Sequence, residues 1–184
     1  MSIPAFRKVY SNVAYENKII KQLEYSIKRI KEIKVAYLKF ERTHRNKQAY
    51  STLWKQIMEF AKKYNLTDKG FKYVSISLDS LDITEIDKCR FLIGITVPYS
   101  MEIPKGFSVL NIQTGLYSAF NIKGRYHELN RIYRDIYLDW LPNSKYRLRE
   151  QMTFEIYTNT PDKASMEELV TEIYLPIEVK QKIK

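Results

Sequence analysis

The chain has 184 residues, a mass of 22.0 kDa, 45 % hydrophobic residues and a formal net charge of +10. That size suits one domain with a short extension, and the apolar share is enough for a buried core. A lone cysteine, Cys89, excludes an internal disulfide and a cysteine-rich metal site, and no apolar run reaches the roughly 18 residues of a spanning helix. The opening stretch MSIPAFRKVYS lacks the apolar core of a secretory signal, so the expected compartment is the cytoplasm, with no membrane partner.

Residues 1–34 carry eight Lys or Arg against three Glu, a basic flank that can track phosphates or simply be solvated. Within it Ile19, Leu23, Ile27, Ile30 and Ile33 lie three or four apart, as on a helix, while Tyr25–Ile30 also alternates like a half-buried strand. The residues alone leave both open. Val35–Phe40 then reads as a strand and Tyr50–Tyr64 as an amphipathic helix with the stripe Tyr50, Leu53, Trp54, Ile57, Ala61 and Tyr64. Strands follow over Phe71–Leu78 and Cys89–Val97, separated by breaks at Asn65–Gly70 and Asp79–Lys88.

After the connection Pro98–Gly106 and an extra strand Phe107–Ile112, the same order returns. Leu116–Ile122 is a strand, Tyr126–Trp140 a helix stopped by Pro142, and Lys145–Tyr157 and Leu169–Leu175 are strands. Leu53, Trp54, Ile57, Met58 and Ala61 fall in register on Ile132, Tyr133, Ile136, Tyr137 and Trp140. The predicted class is α+β: two pseudo-symmetric βαββ units of antiparallel strands, one long helix on each, with a ligand cleft between them.

Strand alternation assigns the cleft. Met152, Phe154 and Ile156 share one face, expected beneath the helix, which turns Glu155 and Tyr157 toward the opposing unit. By the same rule Leu38, Phe40, Phe91, Ile93, Ile95, Phe120 and Ile122 pack under helices, while Tyr37, Arg90, Leu92, Gly94 and Ala119 face the cleft. The expected ligand-binding residues are therefore Tyr37, Arg90, Leu92, Ala119, Glu155 and Tyr157. A glutamate among aromatics loses hydration, so its pKa rises unless a cation compensates. A positively charged ligand would supply that cation, and tyrosine faces would add about 0.5–2 kcal/mol of cation–π attraction. The other reading pairs Glu155 with Arg90 or Arg149, or leaves it in water.

No Walker A, Gly-x-Gly-x-x-Gly or Gly-x-Ser-x-Gly string occurs. His44 and His127 stand alone, and Cys89 has no histidine nearby in sequence, so neither a metal, a cofactor nor a catalytic nucleophile is expected.

Several strings in this order resemble the GyrI-like effector-binding domain, which also follows the DNA-binding part of some AraC-type regulators. They are Val35–Leu38, Lys88–Phe91, Gly115–Phe120, Gly124–Tyr126, Asp139–Pro142, Phe154–Tyr157 and Ile173–Ile177. The resemblance implies a SOUL-like duplicated βαββ domain over residues 25–177, flanked by an extension at 1–24 and a tail at 178–184. It favours a helix or loop to about Gln22 and then an edge strand. It also implies a cleft for hydrophobic, cationic or aromatic compounds, with Glu155 in the place of the family's acid. The family's glycine after the first strand is absent from residues 41–46, near His44, whereas Gly124 is kept in the second unit. Ser2–Lys8 looks like the closing turn of an AraC-type helix-turn-helix, and on that reading DNA is contacted only through a separate unit. The function so implied is a small-molecule sensor of a transcription regulator. A stand-alone protein acting on a protein partner, or hydrolysing electrophilic toxins through Glu155, is the alternative.

Overall fold

The computed structural model describes residues 23–41, 47–79 and 90–180. The readings placed on Ser2–Lys8, on the stretch before Gln22, on His44 and on Cys89 lie outside the described residues. The elements are β1 (Tyr25–Ile30), β2 (Ile33–Glu41), α1 (Lys47–Lys63), β3 (Tyr73–Ser77), β4 (Arg90–Thr96), β5 (Ser108–Ile112) and β6 (Gly115–Lys123). A 3₁₀ turn (Tyr126–Glu128) then leads into α2 (Leu129–Asp135), which continues through a π-helical turn (Ile136–Trp140) and a last α turn (Leu141–Asn143). β7 (Tyr146–Leu148), β8 (Phe154–Tyr157) and β9 (Val170–Val179) complete the described chain. The ambiguous Tyr25–Ile30 is thus an edge strand.

All strand pairs are antiparallel, in the order β1-β6-β9-β8-β3-β4-β2-β5, with β7 also on β9. The order reads alike from both ends: β3-β4-β2 repeats as β8-β9-β6, and each triplet is extended by the strand that precedes the other. Two short links then dictate the shape. Ile30 and Ile33 are three positions apart yet belong to opposite ends of this order, and Ile112 and Gly115 repeat the situation. Three residues reach only about 10 Å. The sheet therefore rolls until its edges meet, and Thr114 Oγ1 donates to the Ile30 carbonyl across the junction at 2.9 Å.

An eight-stranded roll has an interior that side chains can fill. Val35, Val74, Ile76, Leu92, Ile112, Tyr117, Ala119, Phe154 and Tyr174 form that inner core. Phe154 stacks on Tyr174 with centroids 4.8 Å apart. The outer face carries both helices. α1 lies on β2 and β4 over Ala36, Phe40, Ile93 and Ile95, and α2 lies over Phe120, Ile122, Ile173 and Leu175 of β6 and β9. The helix-facing sets expected on β2, β4 and β6 are found there.

β8 is the exception, and its face is the reverse of the expectation. β7 and β8 follow one another along the same edge of β9, but six steps from Leu148 to Phe154 stand against three from Ile177 to Tyr174. An odd surplus of residues swaps the faces of everything beyond it. Phe154 and Ile156 therefore enter the inner core, and Glu155 and Tyr157 turn outward to the helix side.

Gly94 pairs with Tyr37 across the β4–β2 ladder. A Cβ there would collide with the Ala36 carbonyl oxygen and come within 2.9 Å of Val35 Cγ1. Gly94→Ala is expected to cost about 1–3 kcal/mol by overpacking, read as a lowered urea midpoint with an unchanged slope.

Candidate functional site

The outer face is crossed by a continuous register row: Leu38, Ile93, Ser75, Glu155, Ile173, Phe120 and Tyr25. Its ends are apolar and lie under the helices. Its centre, Ser75 and Glu155 on the β3–β8 seam, is polar and lies between them. The next row repeats the arrangement with Tyr73 and Tyr157 at the centre, flanked by Ile95 and Thr171.

Glu155 accepts one hydrogen bond at each oxygen. Tyr157 Oη donates to Oε2 at 2.6 Å, and Tyr133 Oη, from α2, donates to Oε1 at 2.9 Å. Trp54 and Tyr126 both press edge-on against the Tyr157 ring, with centroids 5.4 and 5.3 Å away. Tyr137 lies four positions after Tyr133, stacks with it and meets Thr153 Oγ1 at 3.4 Å. Tyr137 belongs to the π turn, a local widening of the kind often found at ligand sites. Beside this cluster, sharing Tyr73, opens a hollow of about 400 Å³ between α1 and the β8–β9 connection, bordered by Lys55, Glu59, Lys62, Asp162 and Lys163.

The electrostatics follow from dehydration. Glu155 retains some residue exposure, but packed atoms shield its carboxylate. Burial pushes its pKa up from the usual 4.5, and the hydrogen bonds from Tyr157 and Tyr133 pull it partly back. Burial, reinforced by the Glu155 charge, lifts both phenols well above their usual 10.0. No described cation contributes to Glu155. Arg90 is committed elsewhere: its guanidinium meets Asp79 at 2.7 and 3.0 Å, and its backbone N–H donates to the same carboxylate at 2.7 Å. Arg149 stands 5.2 Å from the Tyr117 ring centroid and donates to the Thr114 carbonyl at 3.4 Å. Neither arginine therefore fills the ion-pair role considered for it.

Of the six expected residues, the structure brings Glu155 and Tyr157 together. Tyr37, Leu92 and Ala119 belong to the inner core on the other face of the sheet, and Arg90 stands exposed at the start of β4. The residue swap between β7 and β8 separates the two groups. Tyr133 and Trp54 sit on apolar helix stripes and so read as packing residues, while Tyr126 enters the sequence reading only as the start of the second helix and in the string Gly124–Tyr126. Their signal was the coincidence of phenol-bearing stripes with a seam at which the apolar rows break. Among the described residues no group of three or more His, Cys, Asp or Glu is arranged to hold a metal, and no helix is long and apolar enough to cross a membrane.

A raised carboxyl pKa has a definite consequence for stability. Between the unfolded and folded pKa values the native state binds more protons, so stability is greatest below the unfolded pKa and falls as pH rises through the folded one. Glu155→Gln keeps acceptor and donor capacity for both phenols but has no charge to desolvate. The melting temperature of the variant relative to the parent is expected to climb as pH rises from about 4 through the folded pKa of Glu155. A difference that stays flat over that range would mean an ordinary carboxylate.

A family profile described as the GyrI-like small molecule binding domain matches residues 23–178. Among curated proteins, no sequence matches. The fold is similar to the C-terminal domain of EcmrR, with TM-score 0.65 and 17 % identity over 86 % of this chain and 99 % of that one. The same likeness to EcmrR in its complex with DNA gives TM-score 0.63 and 18 % identity over 85 % of this chain, which spans only 58 % of the longer one. SAV2435 bound to tetraphenylphosphonium matches with TM-score 0.56 and 17 % identity over 85 % of this chain and 94 % of that chain. A hydrolase from Listeria innocua matches with TM-score 0.62 and 10 % identity over 84 % and 92 %.

Proposed function

Since the chain belongs to the GyrI-like family of small-molecule-binding domains, we propose that it is the sensor part of a transcription regulator and selects cationic aromatic compounds with Glu155. The observation that carries this reading is a dehydrated carboxylate held by two phenols, with no described cation beside it. A ligand bearing positive charge would relieve the desolvation that lifts the Glu155 pKa, and apolar burial would add about 25 cal/mol per Å². Trp54, Tyr126 and Tyr133, half-buried around the buried Tyr157, are the rings such a ligand would meet. DNA is reached through a separate helix-turn-helix unit, of AraC type if Ser2–Lys8 is its last turn, with the basic flank as the link. The working compartment is the cytoplasm. EcmrR, seen with DNA in a chain longer than this one, is consistent with such a division of labour.

A hydrolytic reading also has one supporting observation: a carboxyl with raised pKa is suited to activating water. It predicts turnover of a strained electrophile that Glu155→Gln abolishes.

The sensor reading is tested by thermal shift with aromatic cations and their neutral isosteres. A cation at 100 times its Kd adds about 2.7 kcal/mol, or about 5–10 °C for a chain of this size. Glu155→Gln is expected to lose that shift for cations and keep whatever the neutral compounds give. Because only the ionised carboxylate attracts the cation, affinity is expected to rise with pH through the folded pKa of Glu155. Equal stabilisation of both proteins by cations would remove Glu155 from the reading.

A further inference from the structure

The string Glu-Ile-Tyr occurs twice, as Glu155–Tyr157 on β8 and Glu172–Tyr174 on β9. The two strands are paired with Glu155 opposite Ile173 and Ile156 opposite Glu172, so the two motifs face opposite sides of the same sheet. Their internal geometry matches. In each, the tyrosine hydroxyl donates to Oε2 of the glutamate two positions earlier, at 2.6 Å for Glu155 and 2.9 Å for Glu172.

They differ at Oε1. At Glu172 it accepts from the ammonium of Lys28 at 3.0 Å. The same nitrogen lies 3.3 Å from Tyr174 Oη and 5.3 Å from the centroid of the Tyr174 ring. Lys28 comes from the edge strand β1 and reaches Glu172 across β6, so the fold supplies this motif with a primary ammonium of its own. At Glu155 the corresponding oxygen accepts from Tyr133 Oη at 2.9 Å, a neutral donor in the place of the charged one.

We propose that the ligand of Glu155 is a protonated amine, whose N–H displaces the Tyr133 hydroxyl from Oε1 and takes the position that Lys28 Nζ holds at Glu172. This inference rests on the sensor reading and narrows its ligand class. Exchanging one donor for another keeps Oε1 satisfied and adds the missing positive charge. A quaternary ammonium has no N–H, so it either leaves Oε1 without the donor or binds with Tyr133 still in place. Tyr133 is then a stand-in for the ligand and competes with it. Hydrogen bonds to charged groups are strong enough to make an N–H worth about tenfold or more in affinity.

The test is calorimetric titration of the whole chain at pH 7.5 with 2-phenylethylammonium, its N,N,N-trimethyl counterpart and neutral 2-phenylethanol. The amine is expected to bind about tenfold or more tightly than the trimethyl compound. Tyr133→Phe, checked for native circular dichroism, is expected to tighten the amine several-fold and leave the trimethyl compound unchanged. If this variant does not fold, the comparison of the three compounds on the parent protein decides alone. Equal affinity for amine and trimethyl compound, both lost in Glu155→Gln, overturns the amine inference and leaves the sensor reading standing. Binding of 2-phenylethanol as tight as that of either cation overturns both.

Discussion

Among the described residues, Glu155 is dehydrated by its surroundings and held by two phenols rather than by a cation. A buried carboxylate is tolerable only where its lone pairs are matched, and two tyrosines from different elements do that here. Their own pKa values are pushed up by the same dehydration and by the charge they surround. The described part of the cluster is therefore hydrogen-bonded without being neutralised. On the reading proposed above, that is the property by which it would discriminate ligands by charge.

The rolled sheet decides where this cluster sits. With β1–β2 and β5–β6 joined by links too short to cross an open sheet, the edges are drawn together and the inner face gathers an apolar core. Helices are then confined to the outer face. α1 covers β2 and β4, α2 covers β6 and β9, and the β3–β8 seam at the centre remains between them. The polar middle of the register row through Ser75 and Glu155 falls on that seam. The hollow between α1 and the β8–β9 connection lies beside the seam, bordered by Tyr73.

Much of this was legible in the order of the residues. The two helices, the repeated strand order and the apolar faces of β2, β4 and β6 follow from hydrophobic period alone. Glu155 was legible as an acid inside a strand, and Tyr157 as its neighbour on the same face. Which face that was could not be read from alternation. Lys145–Tyr157 looks like one strand, and Met152, Phe154 and Ile156 look like its helix-covered side. The extra residues between Leu148 and Phe154 reverse the pleat, and nothing in their composition marks them. The apolar trio still found a core, the inner one that rolling creates. Tyr37, Leu92 and Ala119 followed it there, since alternation alone cannot show that a sheet has two buried faces. Tyr133 escaped for a different reason: a tyrosine on an apolar stripe is ordinarily a packing residue, and its hydroxyl matters only once Glu155 is known to lie beneath it.

If Glu155 takes a cation as proposed, the same carboxylate acts on the free and the bound protein in opposite directions. In the empty protein ionisation of Glu155 is opposed by burial, so rising pH works against the fold. With a cation at Oε1 ionisation is favoured, so rising pH works for the complex. The difference between the two states is largest where Glu155 would be charged in the complex and partly protonated without it. Cation binding there releases protons, and a ligand without charge gains nothing from that linkage. The Glu172 motif has its ammonium partner within the chain, in Lys28. One Glu-Ile-Tyr unit thus ties an edge strand to the sheet, while on the proposed reading its counterpart across the same two strands takes its ammonium from a ligand.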